Sequence, residues 1–239
     1  MDFATISNWL ISLLTLTFLE IILGVDNLIF ISIASSRLPQ HKQKLARRIG
    51  LLLALGTRLL LLASIIWIIG LTKPWFSVLG YHFSGRDIFL IAGGVFLLYK
   101  ATKEIHAEFE SHDTPIHLRK FASFFAIVTQ IAVFDIIFSL DSVLTAIGMT
   151  QNFTIMAIAI TIAIIVMMIG SEPLSRFVNN HPTIRMLALS FLLMIGMVLI
   201  ADGFSFHVPR GYIYFAVSFS VFVEILNSAL VKKKSRSNK

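Results

Sequence analysis

The sequence predicts an all-α polytopic membrane protein with seven transmembrane helices, six of them in an inverted 3+3 helix repeat and one extra. Three observations carry that prediction. Apolar runs of bilayer-spanning length recur along the chain. Lysine and arginine gather in alternate connections between them. One acidic pattern occurs twice, about half a chain apart, in runs that cross the membrane in opposite directions.

The 239 residues are 56% hydrophobic and only 14% charged, with a mean hydropathy of +0.84. A soluble domain carries roughly 25% charged residues. So little charge leaves most of the surface unsuited to water. About 20 apolar residues cross a bilayer as a helix. The runs are 9–35, 49–71, 88–99, 121–149, 153–169, 184–201 and 212–231. The third is short and is expected to extend back past Arg86 and forward past Lys100. No run reads as a strand. Backbone in lipid must satisfy its own hydrogen bonds, so helices are the default. No basic residue precedes the first run, which is too long for a cleaved leader and reads as a retained span.

The basic residues orient the chain. Of the 20, 16 lie in the first, third and fifth connections and in the tail. The other connections hold only Lys73, Arg86 and Arg210, and Arg58 lies inside the second run. Positive charge stays on the cytoplasmic side, which puts the N-terminus outside and the C-terminus in the cytoplasm. Trp67, Trp75, Tyr81 and Tyr212 fall near the predicted outer ends, as interfacial aromatics do. The whole chain, 1–239, reads as a single transmembrane domain: a first half-repeat over about 7–105, a second over about 120–206, a seventh helix over about 211–231 and a basic cytoplasmic tail, 232–239. The net charge of +7 is accounted for by these connections, so nucleic acid is not an expected partner. With no cysteine, disulfides, iron–sulfur clusters and thiolate metal sites are excluded.

The repeated pattern is Glu20-Ile-Ile-Leu-Gly-Val-Asp26-Asn27 in the first run and Asp135-Ile-Ile-Phe-Ser-Leu-Asp141-Ser142 in the fourth. Each has an acid, five residues, an acid and a small polar residue. A carboxylate at the centre of a membrane helix costs about 2.5–3.5 kcal/mol on an insertion scale, so four of them demand a reason. Positions seven apart share a helix face. Glu20, Gly24 and Asn27 form one stripe, and Asp135, Ser139 and Ser142 the matching one. Asp26 and Asp141 fall about 120° round from the first acids. Either the helices unwind locally near Gly24 and Ser139, or each lines a cavity wide enough to see both acids. Where inverted repeats meet near the midplane, transporters hold their substrates.

Carboxylates, an amide and a hydroxyl are hard oxygen ligands. They suit Mn²⁺, Mg²⁺ or Ca²⁺ rather than Zn²⁺ or Cu⁺. The candidate ligands are Glu20, Asp26, Asn27, Asp135, Asp141 and Ser142. Crowded carboxylates raise one another's pKa, so an arriving dication would release protons and exchange of metal for protons is the expected coupling. Arg58, Gln130, Ser139, Asp202 and Glu224 are secondary candidates along the path. Arg58 reads first as an ion-pair partner for one of the acids, and Glu224 either lines the route or binds a neighbouring helix. Glu172, before Pro173, reads as interfacial. The connection 100–120 mixes Glu104, Glu108, Glu110 and Asp113 with His106, His112 and His117. It is either a solvated acidic loop, the ordinary case, or a metal-sensing one.

The two motifs resemble the paired signatures of the TerC (tellurium-resistance) family of bacterial integral membrane proteins. Tyr99-Lys-Ala-Thr-Lys-Glu-Ile-His106 and Ala201-Asp-Gly-Phe-Ser-Phe-His-Val-Pro-Arg-Gly-Tyr212 are similar to further stretches of it. The resemblance covers nearly the whole chain and looks closest to a short branch without appended soluble domains. It implies a bacterial inner-membrane protein related to cation exporters of the lysine-exporter superfamily, several members being implicated in Mn²⁺ efflux. The family's metal-site acids carry over onto Glu20, Asp26, Asp135 and Asp141, beside Asn27 and Ser142.

The expected function is therefore a secondary transporter exporting a divalent cation, manganese first. The alternative is a membrane scaffold or accessory protein that binds the ion without moving it. No Walker A, His-Glu-x-x-His or Gly-x-Ser-x-Gly motif is present, and each acid pair lies on one helix, unlike a protease dyad; an enzyme is not expected. No prosthetic group is expected. The expected partners are the lipid bilayer, the cation and a second copy of the chain as a homodimer.

Overall fold

The computed structural model describes residues 3–64, 72, 74–78, 81–110, 123–150 and 152–237. Seven helices occur among them: α1 Phe3–Ser36, α2 Gln40–Ala63, α3 Gly85–Glu110, α4 Phe124–Met149, α5 Phe153–Asn180, α6 Pro182–Gly203 and α7 Arg210–Ser237. Between α2 and α3 lie two strands, β1 Pro74–Val78 and β2 Tyr81–Ser84, paired antiparallel. They correct the expectation of no strand. Trp75, Phe76, Val78, Tyr81 and Phe83 are the aromatic and β-branched types that fit a pleated ribbon. The segment is too short and polar to have registered as a span.

The distribution of polarity is inside out relative to a water-soluble protein. Leu14, Phe18, Phe125, Ile169 and Phe215 are exposed, Phe125 by 80%. Glu20, Arg58 and Asp135 are buried, at 0%, 1% and 3% exposure. An apolar shell around a polar centre is what a lipid solvent selects. Four helical stretches among the described residues are long and apolar enough to cross a membrane: Ser7–Ser36, Phe124–Met149, Phe153–Asn180 and Pro182–Gly203. The remaining three helices carry more charge. The N-terminal half of α2 bears Lys42, Lys44, Arg47 and Arg48, α3 runs past Lys100 to Glu110, and α7 continues into the basic tail as far as Ser237.

The helix ends follow local chemistry. Asn152 Oδ1 accepts from the backbone N–H groups of Thr154 and Ile155 and caps α5. Pro182 opens α6, where its missing N–H has no helical partner to lose. Pro173 lies inside α5, which continues through it.

Packing sets the helices in crossed partnerships. α1 lies along α5, α2 along α4 and α3 along α6, while α1 also meets α4. The α3–α6 approach is the closest. A Cβ on Gly94 would lie 2.6 Å from the Gly196 carbonyl oxygen, and one on Gly196 3.1 Å from that of Gly94. The two backbones touch because neither helix presents a side chain there. Gly94 and Gly196 thus face each other across this seam. Phe134 of α4 packs against Phe30 of α1 and Phe96 of α3, with ring centroids 3.7 Å and 5.2 Å away. This aromatic cluster ties the centre of the bundle together beside the acids.

Candidate cation site

Glu20, Asn27, Asp135, Ser139 and Ser142 are all buried, so both seven-residue stripes face inward from α1 and α4. The two first acids meet on one guanidinium. Arg58 Nη1 donates to Glu20 Oε2 at 2.8 Å, and Nη2 to Asp135 Oδ1 at 3.0 Å. Arg58 Nε reaches the same Asp135 oxygen at 3.3 Å. Asn27 Nδ2 donates to Asp135 Oδ1 at 3.2 Å, and Thr57 Oγ1 to Asp135 Oδ2 at 3.2 Å. Ser142 Oγ donates to the Ser139 carbonyl at 3.3 Å, within α4. Corresponding acids of the two motifs thus share one basic partner, supplied by α2.

A buried charge is tolerable only when paired and hydrogen-bonded. Arg58 with its two acids is an incomplete neutralisation: one positive charge against two negative ones. Hydrogen bonding is incomplete as well. Glu20 Oε1 and Asn27 Oδ1 are buried with no hydrogen-bond partner among the described residues. Two such oxygens beside a surplus negative charge are the donor set a hard cation would complete. Among the described residues no group of three or more His, Cys, Asp or Glu side chains is arranged to hold a metal.

Asp26 lies round the helix from the stripe and is half-buried. It lines a small cavity of about 30 Å³ with Arg58, Ser142 and Leu23, closed by Val198 and Leu199 of α6 and Ile213 of α7. A water needs roughly 10–15 Å³ by this measure, so the space takes a water or two. The side chain of Asp141 lies outside the described residues. Of the two geometries open to the acids, local unwinding is not the one adopted here. α1 runs unbroken through Gly24 and α4 through Ser139. Met167 of α5 lies against Gly24, where a Cβ would collide with its sulfur.

The secondary candidates disperse. Ser139 donates to the Ile136 carbonyl within its own helix. Gln130 accepts from Lys100 of α3 at 3.4 Å, apart from the Arg58 cluster. Asp202 is half-buried near the end of α6, where its carbonyl accepts from the Ser205 N–H. Glu224 accepts from Thr183, tying α7 to α6. Glu172 binds Lys44 and Arg176. The first part of the expected acidic loop, 100–110, is the end of α3, where Glu104 pairs with Arg37 and Glu108 with Arg185. Asp113, His112 and His117 lie outside the described residues.

Two residues escaped the sequence reading. Thr57 holds the second oxygen of Asp135, and its only signal was adjacency to Arg58 in an apolar run. Arg47 reads as one of five loop cations, yet it is 5% exposed and donates to Ser35 of α1 and Ser175 of α5. Arg48 beside it is exposed. A helix turns about 100° per residue, so one neighbour faces the bundle and the other leaves it.

The model of the integral membrane protein TerC family matches residues 6–239. The inner membrane protein YoaE of Escherichia coli K12 is 51% identical over 216 residues, 90% of this chain and 42% of the relative. YegH of the same strain is 50% identical over 226 residues, 94% of this chain and 43% of its own length. This chain therefore spans about two fifths of the first curated relatives it matches. The inner membrane protein YgdQ of that strain is 48% identical over 225 residues, 94% of this chain and 94% of its own length. No solved structure matches the chain significantly. The paired acidic motifs, the apolar shell and the match over nearly every residue have one reading: the chain is an integral membrane protein of the TerC family.

Proposed function

We propose that this protein is a secondary transporter of the bacterial inner membrane that exports a hard divalent cation, manganese first, from a midplane site between α1 and α4. The observation that carries the reading is the convergence of Glu20 and Asp135 beside the unpartnered oxygens of Glu20 and Asn27. Asp26 and Asp141 complete the ligand set as the cation enters. Proton exchange is the coupling in this reading, since the four motif carboxylates around a dication leave negative charge for protons to balance. The inner-membrane assignment draws on the names of YoaE and YgdQ, which are inner membrane proteins.

An inverted repeat of α1–α3 and α4–α6 underlies the transport cycle in this reading. The helix partnerships support it. Exchanging the halves turns the α1–α5 contact into the α4–α2 contact, and the α3–α6 and α1–α4 contacts into themselves. Rocking of one half against the other would expose the site alternately to each side. With seven spans, the N-terminus lies outside and the C-terminus in the cytoplasm.

A scaffold that binds metal without moving it is the second reading. It is favoured by Arg58, which already occupies two of the acids. Uptake of radioactive manganese by proteoliposomes separates the two. Transport predicts many ions moved per protein, acceleration by a pH gradient, and a fall to the rate of protein-free vesicles in Asp26→Asn or Asp141→Asn. A wild-type protein that moves no ions is a scaffold or neither. Undiminished flux in both variants would make the acids structural.

A further inference from the structure

Resting on the divalent-cation reading above, we propose that Arg58 is a resident counter-cation, which the incoming dication displaces from Glu20 and Asp135. The guanidinium occupies the point where Glu20 of α1 and Asp135 of α4 converge, the place a cation bound by both helices would take.

The geometry differs from that of an ion pair built only for stability. A strong arginine–carboxylate pair is a fork-to-fork contact with both oxygens engaged. Here the guanidinium is divided between two acids on two helices. Glu20 Oε1 and Asn27 Oδ1 remain without partners among the described residues. A purely structural buried pair has its remaining lone pairs satisfied. Arg58 also borders the small cavity shared with Asp26 and Ser142, which Glu20 and Asp135 do not line.

Charge makes the competition one-sided. Arginine cannot shed its proton in a protein, so it leaves the acids by moving and not by neutralising. A dication offers twice the charge to the same carboxylates. In the empty site Arg58 keeps two acids from repelling each other. In the loaded site its return helps expel the ion. Arg58 thus weakens binding and speeds release, and it acts as a positioning residue for transport.

The test is equilibrium dialysis of the full chain in detergent micelles against radioactive manganese chloride. Wild type, Arg58→Gln and Arg58→Lys are compared, followed by flux measurements on the same proteins in liposomes. Arg58→Gln is expected to bind about tenfold more tightly, as loss of one competing unit charge at contact distance allows. It is also expected to turn over more slowly, so KM and the maximal rate fall together. Arg58→Lys keeps the charge and is the variant that decides the matter if the glutamine protein does not fold. A compact ammonium cannot bridge both acids as the guanidinium does, so binding should tighten about threefold. Wild-type binding with equal or weaker binding in the folded variants would overturn the displacement and leave the transport reading standing. Absence of bound manganese in wild type and variants alike would overturn both.

Discussion

Arg58, at 1% exposure, bridges Glu20 and Asp135 in the middle of the bundle. Where Lys44 and Arg176 meet Glu172, the side chains are 54%, 74% and 32% exposed. Both sets are short contacts between the same kinds of charge. They differ in solvent. Water screens the outer pairs and offers each group a substitute partner when the other is removed. Around Arg58 there is room for no more than a water or two. Removing it strands two carboxylates, while removing Arg176 leaves a hydrated one. Identical chemistry is thus costly to break in one place and nearly neutral in the other. The Arg37–Glu104 pair is intermediate, with one partner 32% exposed and the other 7%.

Three substitutions put this gradient at risk. Arg58→Gln should cost the most, about 3–5 kcal/mol, the range for breaking a buried pair from one side. Thermal unfolding in detergent checks it. Neutralising Glu20 and Asp135 to Gln and Asn in the same protein should restore most of the loss, since the stranded charges are gone. Failure to restore would locate the cost in packing around Arg58 instead.

Glu104→Gln tests the intermediate case, beyond the apolar run 88–99. Its expected cost is about 0.5–1 kcal/mol, because Arg37 stays partly hydrated. Its pH dependence has a definite sign. Burial outweighs the pull of Arg37 and holds the Glu104 carboxyl above its ordinary value of 4.5. The folded protein therefore binds that proton more tightly than the unfolded chain does. The stabilising contribution is greatest below 4.5 and is lost as pH rises through the raised value. The glutamine variant lacks this dependence, so its deficit should narrow as pH climbs from about 4 to 7. Melting curves across that range decide it, and a widening deficit would mean that the pull of Arg37 outweighs burial at Glu104. The smallest effect is expected from Arg176→Ala, with no measurable change in melting temperature. A clear loss there would show that exposed pairs matter in this protein as much as the central one.

Part of the site was legible beforehand. The acid-x5-acid repeat and seven-residue stripes predicted that Glu20 and Asn27 share a face, as do Asp135 and Ser142, and all four are buried. Side-chain direction along one helix follows from its period alone. Arg58 was legible as a partner for one acid. That it serves two, on different helices, was not, because Glu20 lies 38 residues before it and Asp135 77 after it. Arg47 and Arg48 were indistinguishable by composition, and the β1–β2 pair was hidden in a short connection.

The sequence by itself determined the solvent and the helices of this protein. Low charge, long apolar runs and backbone that must bond to itself in lipid leave helices as the answer, and these are local properties. Only the tertiary structure decided which charges neutralise which. It set Arg58 between two carboxylates, turned Arg47 inward, and pressed Gly94 against Gly196. Those outcomes depend on how helices far apart in the chain are rotated and staggered against one another, which no local pattern encodes.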